Sequence, residues 1–164
     1  MMTERQLEFR KEYRTRIAGW YNGYAHILVV YAIGLTALYI YTSHIDGVLW
    51  WEWLTIPIIV LMSNIFEWFL HMYVMHRPIN NAGLLSIYTR HTLNHHQFFS
   101  DGEMRFRDQK DWRVTVFPPY ALVIFILMSL PVGLVPGWFI APSVGWLVMS
   151  PTPSMFLLYD FLAF

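Results

Sequence analysis

The chain has 164 residues, of which 56% are apolar and 18% aromatic, while only 13% are charged and the formal net charge is zero. Soluble domains carry roughly 25% charged residues, so this composition indicates a membrane protein, and the balanced charge provides no basic surface for nucleic acid. Cysteine is absent, which excludes disulfides, thiolate metal sites and a cysteine nucleophile within this chain.

Four stretches approach the length of about 20 apolar residues that a helix needs to cross the hydrocarbon core of a bilayer. They cover residues 25–42, 48–70, 114–134 and 138–158. The stretch 131–137 contains two prolines and two glycines, and it predicts a tight turn that makes the last two spans a hairpin. We therefore expect an all-α integral membrane bundle of about four transmembrane helices, forming a single domain over residues 1–164.

The basic residues predict how this bundle is oriented. All eleven fall either before the first span or between the second and third spans. Four spans place these two segments on one side, and the positive-inside bias makes that side cytoplasmic. We expect a cytoplasmic N-terminal segment (1–24), two spans (25–70), a cytoplasmic segment (71–113) and two more spans (114–164), in a bacterial inner membrane or the endoplasmic reticulum.

Five of the seven histidines lie within 26 positions, at the end of the second span and in the segment that follows. His71 and His76 form an HxxxxH pattern, and His91, His95 and His96 form HxxxHH. Imidazole is the commonest metal ligand among side chains, and it suits iron, zinc, copper and nickel. We expect these five residues to bind metal; the alternative is a solvated or pH-sensitive histidine patch.

Helical geometry predicts how each histidine pattern points. At about 100° per residue on an α-helix, His91 and His95 share a face, whereas His96 lies about 140° from His91. His71 and His76 likewise lie about 140° apart. Each pattern would then point in two directions, which indicates two metal ions rather than one. Pro78 disfavours helix at the residue before it, so the second span is expected to end near His76.

Three polar residues near the histidines are candidates for supporting roles. Asn64 and Glu67 form a polar stripe with His71 on an otherwise apolar span, and a carboxylate inside a membrane is a functional hypothesis by default. Glu67 is interpreted as an orienter of the His71 ring, with direct metal binding and a helix-packing contact as alternatives. Asp160, near the cytoplasmic end of the fourth span, either caps the site or ends the span.

The remaining histidines and one charged segment are interpreted more simply. His44 lies in the connection opposite the cluster, and His26 opens the first span; both are expected to be interfacial. From Asp101 to Arg113 there are eight charges in thirteen residues, starting with a turn signal at Asp101 and Gly102. This segment is predicted to be a solvated loop, with a docking surface for an electron donor or a lid over the site as alternatives.

The two histidine patterns resemble the fatty acid hydroxylase and sterol desaturase superfamily of membrane oxygenases. The resemblance covers EWFLHMYVMHRP (67–78), HTLNHH (91–96) and the spans around them. His71 and His76 match the first histidine box, and His91, His95 and His96 match the second. Two features depart from the family: three residues, rather than the more usual two, separate His91 from His95, and the third box is missing.

The resemblance implies a histidine-rich centre of two metal ions, usually described as di-iron, on the cytoplasmic face of a four-helix bundle. Such a centre uses dioxygen and two electrons to hydroxylate or desaturate a fatty acyl chain or a sterol taken from the bilayer. The chain has no GxGxxG fingerprint for a nicotinamide or flavin cofactor. A reductase, ferredoxin or b-type cytochrome is therefore implied as the electron donor.

The missing third box leads to a further expectation. The chain ends in the apolar run FLLYDFLAF, where the fourth span would return to the cytoplasmic side. Five histidines with Glu67 and Asp160 provide at most seven ligands, whereas two metal ions with four protein ligands each need about eight. We therefore expect that this chain is truncated before a third box, binds metal weakly or at one site, and is inactive alone.

Three other classes of protein remain open at this point. In a membrane zinc hydrolase, three histidines would hold zinc and lower the pKa of its bound water, but five clustered histidines exceed that requirement. A haem-binding subunit would need a pair of axial histidines from two different spans. His95 and His96 are adjacent in one segment and do not form such a pair. The last alternative is a structural membrane protein without metal.

Overall fold

The structure, a computed structural model, describes residues 3–99 and 105–162, except for the side chains of 160–162. All regular secondary structure within these ranges is helical. The α-helices are α1 (Glu4–Arg16), α2 (Gly23–Ser43), α3 (Thr55–Leu70), α4 (Ala82–Tyr88), α5 (His96–Phe98), α6 (Trp112–Thr115), α7 (Pro119–Phe139), α8 (Pro142–Met149) and α9 (Pro151–Leu162). Two single 3-10 turns, Glu52–Leu54 and Gln109–Asp111, precede α3 and α6. Two π-helical turns, His71–Met75 and Thr89–His95, follow α3 and α4.

Three helical stretches are long and apolar enough to cross a membrane: Gly23–Ser43, Glu52–Met75 and Gln109–Phe139. None of the residues of α3 is buried by the rest of the protein. A largely apolar helix without buried residues is typical of a membrane span, because lipid then provides the apolar surroundings. These stretches are as expected for a membrane protein, and their bounds agree with the first two predicted spans.

The predicted turn at 131–137 is wrong. The helix α7 continues through Pro131 and Pro136, and the chain reverses only at Ile140 and Ala141, before α8. Proline is tolerated inside membrane helices, where neighbouring groups satisfy the freed backbone carbonyls. The predicted fourth span is divided at Ser150 into α8 and α9, of eight and twelve residues, so the count of four spans stays a prediction.

The chain forms two compact units. The first, which we call the histidine unit, comprises the described residues within 1–24 and 65–116. The second, which we call the hairpin unit, comprises those within 25–64 and 117–164. All five clustered histidines belong to the histidine unit.

A small aromatic core organises the histidine unit. Tyr13 and Ile17 from α1 are buried with Phe98 from α5 and Val114 from α6. The rings of Tyr13 and Phe98 meet edge to face, with their centroids 5.5 Å apart, a favourable aromatic geometry. The N-terminal helix therefore packs on the segment that carries the second histidine pattern, rather than lying free beside the membrane.

Buried polar contacts of α1 strengthen this packing. Nε of Arg14 donates to Oδ1 of Asp111 at 2.7 Å, and Nη2 donates to Oδ2 at the same distance. Asp111 is fully buried and also accepts the backbone N–H of Arg107 and Asp108. Paired bonds of this kind are geometrically specific, and removing one partner of a buried pair is strongly destabilising. Arg14 thus does more than contribute to the charge bias of the sequence.

Small residues organise the hairpin unit. The backbones of α7 and α8 approach so closely that a Cβ atom added to Gly145 would lie 2.8 Å from O of Gly133 and 2.9 Å from Cα of Gly137. Gly133 and Gly137 form a GxxxG pattern, which favours close helix packing in membranes. Gly133 and Gly137 therefore allow α7 and α8 to pack closely, and they do not form the turn that the sequence predicts.

We expect Gly145→Ala to lower the stability of the protein by about 1–3 kcal/mol, since the new methyl group meets backbone atoms that cannot rotate away. Thermal unfolding of the purified chain in detergent measures the effect. Gly83→Ala in α4 is the control, because its new Cβ has nothing nearer than 3.4 Å and alanine favours helix. Equal stability of the two variants would contradict the close approach of α7 and α8.

Candidate metal centre

The two π turns determine where the histidines point. In a π turn the backbone hydrogen bonds join residues five apart, instead of four apart as in an α-helix. The turn is wider, so a side chain five positions on returns to the same side. The first π turn continues α3, and His76 follows it as the capping residue. As a result, Nε2 of His76 lies 3.0 Å from Nε2 of His71.

The second π turn repeats this arrangement. It continues α4 without a break and ends at His95, after which His96 opens α5. Nε2 of His96 lies 3.2 Å from Nε2 of His91, again across a spacing of five residues. Each histidine pattern therefore supplies one converging pair of imidazoles.

The predicted divergence of about 140° within each pattern is wrong, because it assumed α-helical geometry through both patterns. The prediction that Pro78 ends the second span near His76 is confirmed, since the π turn stops at Met75.

The two pairs lie side by side. The ring centroids of His71 and His91 are 4.7 Å apart, and those of His76 and His96 are 5.0 Å apart. One ring nitrogen each from His71, His76 and His91 lie within 4.8 Å of one another. His95 lies at the edge of the cluster, where its ring is parallel to that of His91 at 5.7 Å. All five predicted ligands thus belong to one cluster.

The separations within each pair fit a bound metal ion. Zinc lies about 2.0–2.1 Å from an imidazole nitrogen, so two nitrogens 3.0 Å apart can bind one such ion at an angle of about 90°. The same separation accommodates an N–H···N hydrogen bond when no ion is bound. The cluster offers nitrogen donors only, which suits iron, zinc, copper or nickel better than calcium or magnesium.

The electrostatics of the cluster favour neutral rings. Burial, with a further contribution from the neighbouring histidines, lowers the pKa of His91 to about 4. Loss of solvation also lowers the pKa of His76 and of His95, and neighbouring histidines add to both shifts. For His95 a hydrogen bond to the backbone of Val114 opposes the shift. Neutral imidazole is the form that binds metal, so these groups meet that requirement at neutral pH.

Arg90 holds the second π turn in place, although the sequence indicated only its charge. Its Nη2 donates to the carbonyl oxygens of Arg113, at 2.8 Å, and of Val116, at 2.6 Å. Together with the bond of His95 to Val114, this fixes the π turn to the carboxyl end of α6. In the sequence, the position of Arg90 directly before His91 is the signal that could have indicated this role.

Arg10 holds the chain that follows the second pattern. It is buried, and it donates from Nε to O of Phe98 and from Nη1 to O of Arg105, each at 3.0 Å. Its guanidinium lies over the Phe98 ring, 4.3 Å from the centroid, a cation–π geometry. Gln6 donates to the same carbonyl of Phe98. No feature of the sequence indicated that these α1 residues reach the histidine segment.

The predicted supporting residues have different outcomes. The Asn64 amide donates to O of Val60, one turn earlier on α3, at 2.8 Å, which is a local bond. Glu67 lies one turn before His71 with its side chain exposed, and its role as an orienter stays a prediction. The side chain of Asp160 lies outside the described residues, as do Asp101 and Gly102 with their predicted turn.

The two histidines predicted to be interfacial belong to the hairpin unit. The His44 ring stacks on Trp146, with a centroid distance of 4.5 Å, and its Nδ1 lies 2.7 Å from O of Ile40. Nε2 of His26 lies 3.0 Å from O of Phe117. Both rings thus have partners of their own within that unit.

Comparison of the chain with protein-family models, with curated proteins and with solved structures found no significant match. The interpretation of the cluster therefore depends on its own geometry and chemistry.

We expect His91→Ala to lower the metal content of the purified protein to less than about a tenth of the wild-type content. His91 belongs to one imidazole pair and lies beside His71 of the other, and the loss of one ligand weakens metal affinity greatly. Elemental analysis after dialysis measures the content. His44→Ala is the matched control, because that ring stacks on Trp146 in the hairpin unit. Equal loss of metal from both variants would contradict a site at the histidine cluster.

Proposed function

We propose that the chain is a membrane oxygenase of the fatty acid hydroxylase and sterol desaturase type, in which the clustered histidines bind two metal ions, with iron as the preferred metal. The observation that carries this proposal is the convergence of two imidazole pairs from two π turns, with His95 beside them. The apolar helix α3 leads directly into the first of these turns.

The chemistry of the donor set supports an oxidative reaction. Attack on an unactivated C–H bond requires an oxidant that amino-acid side chains do not provide, and bound metal ions would supply the activation of dioxygen. In hydroxylation, one oxygen atom enters the C–H bond and the other leaves as water, using two electrons and two protons. In desaturation, both oxygen atoms leave as water; the substrate gives up two hydrogen atoms, the donor again supplies two electrons, and two protons are taken up.

The residues of this chain would hold the metal ions and admit the substrate. Phe66 and Phe69, on the last two turns of α3, are about half exposed, so an acyl chain or a sterol in the bilayer can lie against the helix that ends at His71. The histidine rings, held by Arg90 and by the packing of α1, would keep their geometry during the reaction, which reduces the cost of reorganisation.

The proposed reaction needs an electron donor. The chain contains no cysteine and no dinucleotide-binding fingerprint, so it has no visible flavin, nicotinamide or iron–sulfur site of its own. We propose a reductase, a ferredoxin or a b-type cytochrome as the donor. We also place the N-terminus and the histidine segment in the cytoplasm, on the basis of the basic residues that flank the predicted spans.

A zinc-dependent lipid hydrolase is the second candidate. The observation in its favour is that possible ligand atoms of His71, His76 and His91 lie within 4.8 Å of one another, and three histidines are a common ligand set of catalytic zinc. Zinc would lower the pKa of a bound water for attack on an ester or amide. The metal that the protein carries separates the two candidates.

The proposed reaction converts fatty acyl or sterol lipids into products 16 mass units heavier or 2 lighter. The assay supplies the purified full chain, loaded with Fe²⁺ in lipid nanodiscs, with dioxygen and a reduced ferredoxin, and turnover would also overturn the expectation that this chain is inactive alone. Mass spectrometry of the extracted lipids detects either product. His91→Ala should lose at least about 99% of the activity, because it lacks a central ligand. Stoichiometric zinc together with cleaved ester or amide products would instead support the hydrolase.

The absence of cysteine makes the proposed topology directly testable. Single cysteines at Ser43 and Asn80, both exposed, should react oppositely with a membrane-impermeant thiol reagent in intact cells. We expect Ser43→Cys to react and Asn80→Cys to be protected until the membrane is permeabilised, since the positive-inside bias places Asn80 in the cytoplasm. Labelling of Asn80→Cys in intact cells would contradict that orientation.

A further inference from the structure

The hydroxyl group of Thr92 connects the two histidine segments. Thr92 lies in the second π turn, between His91 and His95. Its Oγ1 donates to O of Met75, the last residue of the first π turn, at 2.6 Å. The same oxygen lies 3.5 Å from Nδ1 of His76. One side chain thus contacts both the backbone before His76 and the His76 ring.

The carbonyl of Met75 needs a donor from outside its own helix. The last carbonyls of a helix have no N–H partner within it. Pro78, three positions on, has no N–H to offer, and the N–H of Ile79 donates to O of Arg77 instead. A threonine inside a helix often donates to the carbonyl four residues earlier, but Thr92 bonds a carbonyl 17 residues earlier. The hydroxyl therefore replaces a local bond by one that joins the two π turns.

This arrangement also favours one of the two neutral forms of the His76 ring. A threonine hydroxyl has a single proton, and the short bond to Met75 uses it. The hydroxyl therefore presents a lone pair to Nδ1 of His76, and the contact is favourable only when Nδ1 is protonated. In the neutral ring Nε2 then keeps its lone pair, and this is the nitrogen that lies 3.0 Å from Nε2 of His71.

We propose that Thr92 is a positioning residue of the metal centre, which joins the two π turns and holds His76 as the Nδ1–H tautomer with Nε2 directed at the metal. The inference rests on the proposed metal site and extends it. Thr92 acts through His76 and Met75, and is not itself a ligand. Partners that orient a metal-binding histidine in this way are typically worth 10- to 100-fold in metal affinity.

The test is a titration of the purified full chain with Co²⁺ alone, followed by visible absorption, which reports both affinity and ligand geometry. Thr92→Val keeps the shape of the side chain but removes the hydroxyl, and it should weaken Co²⁺ binding by about 10- to 100-fold. Thr92→Ser keeps the hydroxyl and should bind within about threefold of the wild type. In a His76→Ala background, Thr92→Val should cause a smaller further loss, because the part of its effect that passes through the His76 ring is already absent, whereas the bond to Met75 is still removed.

The outcomes separate this inference from the proposed function. If the wild type binds no Co²⁺, both the proposed metal site and the proposed role of Thr92 are overturned. If the wild type binds and Thr92→Val binds equally well, only the role of Thr92 is overturned. A full further loss in the His76→Ala background would also overturn it, because the hydroxyl would then support the fold in general.

A measurement on the unsubstituted protein covers the case in which Thr92→Val does not fold. The ¹⁵N chemical shifts of the His76 ring in the metal-free protein report its tautomer directly. A protonated Nδ1 supports the inference, and a protonated Nε2 overturns it.

Discussion

The approach of His76 to His71, with Nε2 atoms 3.0 Å apart, is the constraint on which the interpretation of this protein depends. It exists because the chain leaves α-helical geometry at His71 and adopts a π turn, which brings residues five apart onto one side. The second π turn does the same for His91 and His96. Short π segments are rare and frequently mark functional sites, and here two of them coincide with the two histidine patterns.

The rest of the histidine unit stabilises this unusual backbone. Arg90 fixes the second π turn to the carbonyls at the end of α6, and buried Arg10 donates to the carbonyl of Phe98, three residues after that turn. The ion pair between Arg14 and Asp111 attaches α1 to the same region. Holding ligands in place before the metal binds reduces the entropy that binding would otherwise cost. The N-terminal helix therefore belongs to the support of the candidate site.

Much of the site could be predicted from the sequence, whereas its geometry could not. The five clustered histidines are candidate metal ligands by residue type alone, and long apolar stretches are candidate membrane spans by their length. The sequence does not predict the π turns, because its spacing of His71 and His76 is read with α-helical angles. The contacts of Arg10 could not be predicted, because they join residues about 90 positions apart and no local sequence pattern encodes such a pairing. Gly133 and Gly137 indicated a turn, since local rules do not distinguish a turn glycine from one that permits close helix packing.

X-ray absorption at the metal edge of the metal-loaded full chain tests the central claim most directly, because it counts imidazole ligands without requiring a substrate or an electron donor. Two or more histidine nitrogens per ion at about 2.0–2.1 Å, with the scattering pattern of imidazole rings, are the result that converging pairs predict. An ion surrounded only by oxygen ligands, or bound by a single histidine, would contradict the claim that the π turns build a metal centre.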